Sequence, residues 1–72
     1  MFTAKELLKF DGKGGRAAYV AVDGIVYDLS PVFQGGLHAG YEAGRDQSEA
    51  FHSQHYSEVL KQFKIMGALS AQ

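Results

Sequence analysis

The sequence predicts a single small α+β domain that spans residues 1–72. Three observations predict this class. A central Asp23-Gly24 turn lies between residues that favour strands, helix-start signals occur before and after it, and the composition is 46% hydrophobic and 21% charged. Such a composition is typical of a folded globular domain. Because the chain has only 72 residues, we expect one domain and one core.

Charge and cysteine content exclude several classes of function. The net charge of −1 gives no strong attraction to nucleic acid or to an anionic membrane, so no nucleic-acid partner is predicted. The longest apolar run, residues 17–22, is far shorter than the roughly 20 residues that span a bilayer. No signal-peptide pattern is visible, and we expect a cytoplasmic monomer without a membrane span. The absence of cysteine excludes disulfides, thiolate zinc sites and iron–sulfur clusters.

The first element is a short helix that begins after Thr3. The Thr3 side chain can accept from the Glu6 amide, and Glu6 can reach back to Thr3, which is a capping box. Three glycines within residues 12–15 end this helix. The glycine-rich loop lacks the GxxxxGK[ST] spacing and follows a helix instead of a strand, so it does not favour a nucleotide site.

A β-hairpin follows. The arms are residues 17–22 and 24–29, and an Asp-Gly pair between β-branched and aromatic residues is typical of a type I′ turn. Beyond the second arm, Ser30 is a candidate N-cap and Pro31 suits the first position of a short helix that runs through Phe33.

The second half of the chain begins with a glycine-punctuated loop that contains His38 and Tyr41. Asp46 and the acidic residue three positions later indicate a helix that runs through Phe51. A further helix is predicted around residues 57–63, and residues 65–69 predict a short closing strand or a packed tail.

All three histidines, His38, His52 and His55, lie within eighteen consecutive residues. They can be surface or capping side chains, a three-histidine zinc site, or axial ligands of a haem iron. Residue types alone leave these alternatives open. No arrangement of a nucleophile with a base is visible, so we do not expect an enzyme. The apolar residues interleaved with the histidines are Phe33, Leu37, Tyr41, Phe51, Leu60 and Phe63.

Motifs along the whole chain resemble one known family. Residues 2–7, Phe-Thr-Ala-Lys-Glu-Leu, and residues 19–29, Tyr-Val-Ala-Val-Asp-Gly-Ile-Val-Tyr-Asp-Leu, resemble the opening of the cytochrome b5-like haem/steroid-binding domain. Residues 36–46, residues 50–60 and the closing Ile-Met-Gly-Ala-Leu at 65–69 resemble its later segments in order. The resemblance implies a small sheet around the central hairpin, with short helices that form a haem crevice.

The resemblance also implies the site. It implies non-covalent haem b held between His38 and His55, with His52 as the reserve ligand. The implied haem-contacting residues are Phe33, Leu37, His38, Tyr41, Phe51, His55, Leu60 and Phe63. The chain departs from the family's His-Pro-Gly-Gly motif, since Gly35-Gly36 precedes the histidine and no proline is present. Its Ala-Gly-Arg-Asp tetrad at 43–46 is similar to the membrane-associated progesterone-receptor branch, which uses a tyrosine as iron ligand.

Two functions follow from the resemblance. With two histidine ligands, electron transfer to an unidentified redox partner protein is implied. The alternative is a steroid, small-ligand or haem-carrier binding module with a five-coordinate haem, held by Tyr41 or by one histidine. Since the chain has no cysteine, covalent haem attachment is excluded.

Overall fold

The computed structural model describes residues 1–33, 37–38, 40–54 and 57–70, with the backbone alone at 37, 38 and 57. In chain order the elements are α1 (Ala4–Leu7), β1 (Tyr19–Val22), β2 (Ile25–Asp28), β3 (Leu37–His38), β4 (Tyr41–Glu42), α2 (Ser48–Gln54), a 3₁₀ helix (Ser57–Gln62) and β5 (Lys64–Ala68). The strands form a three-stranded antiparallel sheet and a two-stranded one. The predicted α+β class is therefore confirmed.

The central hairpin contains the predicted type I′ turn. Val22 pairs with Ile25 across it. Asp23 has φ 52° and Gly24 has φ 81°, and both central residues of a type I′ turn require this left-handed region. The paired strands, Tyr19–Val22 and Ile25–Asp28, are shorter than the predicted arms at 17–22 and 24–29.

The closing segment completes the larger sheet. β5 pairs antiparallel with β2, giving the order β1-β2-β5, and a bulge interrupts the register between Val26 and Tyr27. The N-terminus continues this sheet beyond β5. The Phe2 amide donates to the Ala68 carbonyl at 2.8 Å, and the Ser70 amide donates to the Phe2 carbonyl at 2.6 Å. The two ends of the described chain are thus hydrogen-bonded to each other.

Both faces of the larger sheet are covered by apolar side chains, as the alternation of a β-strand requires. One face belongs to a core cluster of buried Ala18, Val20, Val22, Leu29, Phe33, Ala43 and Leu60, against which Tyr27, Phe51 and Phe63 pack. The opposite face belongs to buried Leu7, Ala21 and Val26, against which Phe2, Tyr19, Met66 and Leu69 pack. The first face leads to the candidate site, and the second anchors α1.

The free edge of β1 is covered by residues 43–46, the Ala-Gly-Arg-Asp tetrad. The Gly44 amide donates to the Tyr19 carbonyl at 2.7 Å, and the Ala21 amide donates to the Arg45 carbonyl at 3.1 Å. Gly44 has φ 85°, and a Cβ there would lie 3.2 Å from the Leu7 carbonyl oxygen. This position therefore requires glycine for two reasons, its backbone conformation and its close approach to α1.

The capping box at the N-terminus is confirmed. The Glu6 amide donates to Thr3 Oγ1 at 3.0 Å, and the Thr3 amide donates to Glu6 Oε1 at 2.9 Å. In the glycine-rich loop that follows, Arg16 donates to both carboxylate oxygens of Asp11, at 2.9 and 3.1 Å. These bonds, and a further one from the Lys13 amide, lower the pKa of Asp11 to about 2. The loop is therefore closed by a paired guanidinium and carboxylate.

The predicted helix from Ser30 through Phe33 is wrong, because the chain forms a turn there. The amides of Val32 and Phe33 both donate to the Leu29 carbonyl, and the described segment that ends at residue 33 does not continue this turn into a helix. Ser30 does not act as the cap. Its hydroxyl donates to Asp28 Oδ1 at 2.6 Å and accepts from the Ala18 amide at 3.0 Å, so it is committed to the sheet.

The second half contains more structure than the sequence predicted. The glycine-punctuated loop includes the β3–β4 hairpin, in which residues 38 and 41 are register partners. α2 runs to Gln54, past the predicted end at Phe51, and the predicted helix at 57–63 is a 3₁₀ helix. The closing strand is confirmed as β5. Across the described ranges, none of the helices combines the length and hydropathy needed to cross a bilayer.

Candidate functional site

A cavity of about 390 Å³ opens between one face of the larger sheet, α2, the 3₁₀ helix and β4. The described residues that line it are Val20, Val22, Leu29, Val32, Phe33, Tyr41, Gln47, Ala50, Phe51, Gln54, Val59, Leu60, Gln62 and Phe63. Its volume is within the range of about 300–1,000 Å³ that is usual for small-molecule sites.

The lining is apolar and, among the described residues, uncharged. Its polar groups are the Tyr41 hydroxyl and the amides of Gln47, Gln54 and Gln62. A wall of valine, leucine and phenylalanine with a few neutral polar groups is typical of a site for a largely apolar ligand. Without a ligand, these side chains border water, which is unfavourable in proportion to their exposed apolar area.

Local sequence patterns build each wall of the cavity. Val20 and Val22 alternate with the residues that face the other side of the sheet, and they form the floor. The helical face is built by residues 47, 50, 51 and 54, whose spacing i, i+3, i+4, i+7 places them on one side of α2. Leu60 lies in the 3₁₀ helix, and Phe63 follows its last residue. The two are three residues apart, the length of one 3₁₀ turn, and both line the cavity.

The turn of the central hairpin anchors α2 at two points. The Asp23 amide donates to Ser48 Oγ at 2.8 Å, in the first turn of the helix. One turn further on, His52 Nε2 lies 2.7 Å from Asp23 Oδ2. The Asp46 carboxylate accepts from the Ser48 amide at 3.0 Å, at the first residue of the same helix. The cavity wall formed by α2 is thus fixed to the tip of the sheet.

His52 is an exposed side chain outside the cavity lining. Phe51 lies in the lining, and the next residue on a helix points about 100° away, which brings His52 to Asp23. Within the described part of the chain, no group of three or more histidine, cysteine or acidic side chains could hold a metal ion.

Five of the predicted haem-contacting residues line this cavity: Phe33, Tyr41, Phe51, Leu60 and Phe63. Leu37 and His38 lie on β3, and their side chains are outside the described part of the chain, as is all of His55. The ligand pair His38 and His55 therefore stays a prediction.

The residue pattern did not identify the floor of the cavity or its three glutamines. In the sequence, Val20, Val22 and Leu29 indicate only strands, and the glutamines lie in no motif. The alternation of β1 and the i+3, i+4, i+7 spacing of α2 were signals that could have found most of them.

Comparisons with known proteins agree with this geometry. The profile of the family described as "Cytochrome b5-like Heme/Steroid binding domain" matches residues 3–70. A solved cytochrome b5 domain protein of Hadesarchaea YNP_N21 is 38% identical, with a TM-score of 0.88 and 96% of each chain covered. A cytochrome b5 domain protein of Methanococcoides burtonii is 35% identical, with a TM-score of 0.86, covering 96% of this chain and 95% of that one. No curated protein gives a significant sequence match. The chain belongs to the cytochrome b5-like haem/steroid-binding domain family.

Proposed function

We propose that this chain binds haem b non-covalently in the cavity, with His38 and His55 as axial ligands, and that it serves electron transfer. The observation that carries the proposal is the apolar lining of the cavity, uncharged among the described residues, in a member of the cytochrome b5-like haem/steroid-binding family. The proposal also includes a non-enzymatic, cytoplasmic, monomeric protein that exchanges electrons with a partner protein.

The residues present fit a porphyrin. A flat aromatic ring system needs apolar walls, which the valines of β1 and the phenylalanines at 33, 51 and 63 supply. Leu29 and Leu60, both 7% exposed, belong to the core cluster of the sheet and also line the cavity. Neutral amides and the Tyr41 hydroxyl can hydrogen-bond to polar substituents of the ligand without placing a charge in the cavity.

The three histidines have different roles in this proposal. His52 lies 2.7 Å from Asp23, whereas His55 comes directly after the last residue of α2 in the sequence. His38 is the register partner of Tyr41, which lines the cavity. Each ligand must present a neutral imidazole nitrogen. Haem supplies a one-electron couple when bound. With two protein ligands no position stays open for a substrate, which favours electron transfer over oxygen chemistry.

Optical spectroscopy of the haem-loaded protein and three single variants tests this proposal. We expect a low-spin spectrum for the unaltered chain, and conversion to high spin or loss of haem in His38→Ala and in His55→Ala. His52→Ala is the matched control and should keep the low-spin spectrum. A silent His55→Ala together with a large change in His52→Ala would show that the second ligand is wrong.

A second candidate rests on Tyr41, which lines the cavity and is 36% exposed. In this alternative the chain is a steroid, small-ligand or haem-carrier module, and haem is five-coordinate with Tyr41 or one histidine as ligand. Broad high-spin bands in the unaltered chain that change in Tyr41→Phe would favour this candidate. Loss of haem on addition of a steroid would favour its ligand-binding form.

A further inference from the structure

Gln47 connects three parts of the site. Its backbone amide donates to the Ala21 carbonyl of β1 at 2.9 Å. Its side-chain Nε2 donates to the Glu42 carbonyl of β4 at 3.0 Å. The residue also precedes α2 directly and lines the cavity. One half-buried residue therefore joins the sheet through its backbone and the β3–β4 hairpin through its side chain, at the start of the helical wall.

Among the described groups of the β3–β4 hairpin, few hold it in place before the tetrad at 43–46, which is bonded to β1. Each strand has two residues, and an isolated hairpin of this length is not stable in water. Tyr41 and Glu42 are exposed, and the ion pair between Arg45 and Glu42, at 3.3 Å, is exposed on both sides. Such pairs contribute little. The bond from Gln47 is different, because it reaches the backbone of β4 and starts from a residue that is itself fixed to β1.

We propose that Gln47 is a positioning residue that fixes the β3–β4 hairpin, and with it His38, against the cavity wall. This inference rests on the proposed function, since His38 is the first proposed haem ligand. The register pairs Leu37 with Glu42 and His38 with Tyr41, so a bond to the Glu42 carbonyl acts on the strand beside His38. Tyr41, the neighbour of Glu42, is held at the cavity by the same bond.

The test compares Gln47→Met with Ser53→Ala. Methionine keeps the length of the side chain and removes the donor. Ser53 also lies on α2 and its hydroxyl donates to a carbonyl, that of Ala50, at 2.9 Å, but this bond stays within the helix. Ser53→Ala therefore removes a comparable hydrogen bond without detaching the hairpin. Gln47→Glu serves as a second variant, because it keeps the shape and polarity of the side chain but loses the donor when ionised.

The first readout is amide hydrogen exchange in the haem-free protein. In both Gln47 variants, exchange across residues 37–42 should accelerate about two- to tenfold, the effect of one net hydrogen bond. Exchange across residues 19–28 should stay as in the unaltered chain. Ser53→Ala should change neither region. Equal acceleration of both regions, or none, would overturn the proposal, because Gln47 would then support general stability alone.

The second readout is the spin state of the haem-loaded protein. The Gln47 variants should show a larger high-spin fraction than Ser53→Ala, since His38 is held less well. Faster exchange with an unchanged spin state would contradict the positioning role. If the unaltered chain shows no low-spin spectrum, the proposed bis-histidine function fails. The exchange comparison on haem-free protein would still decide whether Gln47 fixes the hairpin.

Discussion

The three-stranded sheet and the helical wall of the cavity are built in different ways. The sheet pairs β2 with both β1 and β5, and its side chains Val20, Val22 and Val26 are 2% exposed or less. α2 has no fully buried residue, and within the described 3₁₀ helix Leu60 is the buried one. The sheet therefore carries most of the packed core, whereas the helical wall borders an apolar cavity.

The difference shows where a ligand would matter most. A domain of this size gains roughly 3–5 kcal/mol from its core alone. On the face of the sheet that packs against α1, the buried side chains contact other side chains of the chain itself. The other face borders the cavity. We expect the sheet to keep its structure when the ligand is absent and the cavity wall to loosen first.

The largest loss of stability is expected from shortening a leucine on the face of the sheet that packs against α1. Leu7 is 1% exposed, and Leu7→Ala should cost about 2–5 kcal/mol in the haem-free protein, as buried leucines do. Leu60→Ala should cost less, because Leu60 already borders a cavity. Urea unfolding measures both. Leu7→Val keeps the comparison possible if Leu7→Ala does not fold, and equal costs at the two positions would contradict the difference between the faces.

A smaller effect is expected at the edge of β1. Gly44→Ala should cost about 2–3 kcal/mol, since the residue has φ 85° and its new Cβ would meet the Leu7 carbonyl. Gly15→Ala is the matched control, because Gly15 has φ 82° and nothing within 4 Å of an added Cβ. It should cost only the conformational part, about 1 kcal/mol. The same loss in both variants would show that the contact between residue 44 and α1 is loose.

The smallest effect is a pH dependence in the glycine-rich loop. The hydrogen bonds from Arg16, followed by the one from Lys13, lower the pKa of Asp11 to about 2, from an ordinary value of about 3.9. A lowered pKa stabilises the folded state above the ordinary value, and this contribution is lost as pH falls from about 4 to 2. The Tm difference between the unaltered chain and Asp11→Asn should therefore be full at pH 6 and mostly lost at pH 2. A difference that is constant over this range would contradict the assignment.

Local signals explain which parts of the fold could be predicted. The capping box of Thr3 and the Asp23-Gly24 turn depend on residues a few positions apart, and both are confirmed. The covering of β1 by residues 43–46 depends on contacts distant in sequence, so propensity did not indicate it. The β3–β4 hairpin is local, but its strands have two residues each, too few to show the alternation that marks a strand. Ser30 was assigned to a cap because its hydrogen bond to the Ala18 amide, twelve residues away, cannot be seen in the sequence.

In the candidate site, too, features set by residues near one another in sequence could be predicted, and features set by distant contacts could not. Aromatic and aliphatic residues near the histidines identified one side of the cavity, including Phe33, Phe51 and Phe63. The opposite side comes from Val20 and Val22, more than ten residues earlier in the chain, and only the folded sheet brings it there. Gln47 was missed because its role depends on a bond to the backbone of β4, which no residue pattern encodes.

Hydrogen exchange on the haem-free and haem-loaded protein tests the difference between the two regions most directly. A ligand that binds the folded state adds about 4 kcal/mol when its concentration is a thousandfold above Kd, which is comparable to the stability of the core. We expect haem to slow exchange across residues 33–63 far more than across residues 19–28, whose hairpin should stay protected without it. Equal protection of both regions in the two forms would contradict this account, because the cavity would then be fully formed without haem.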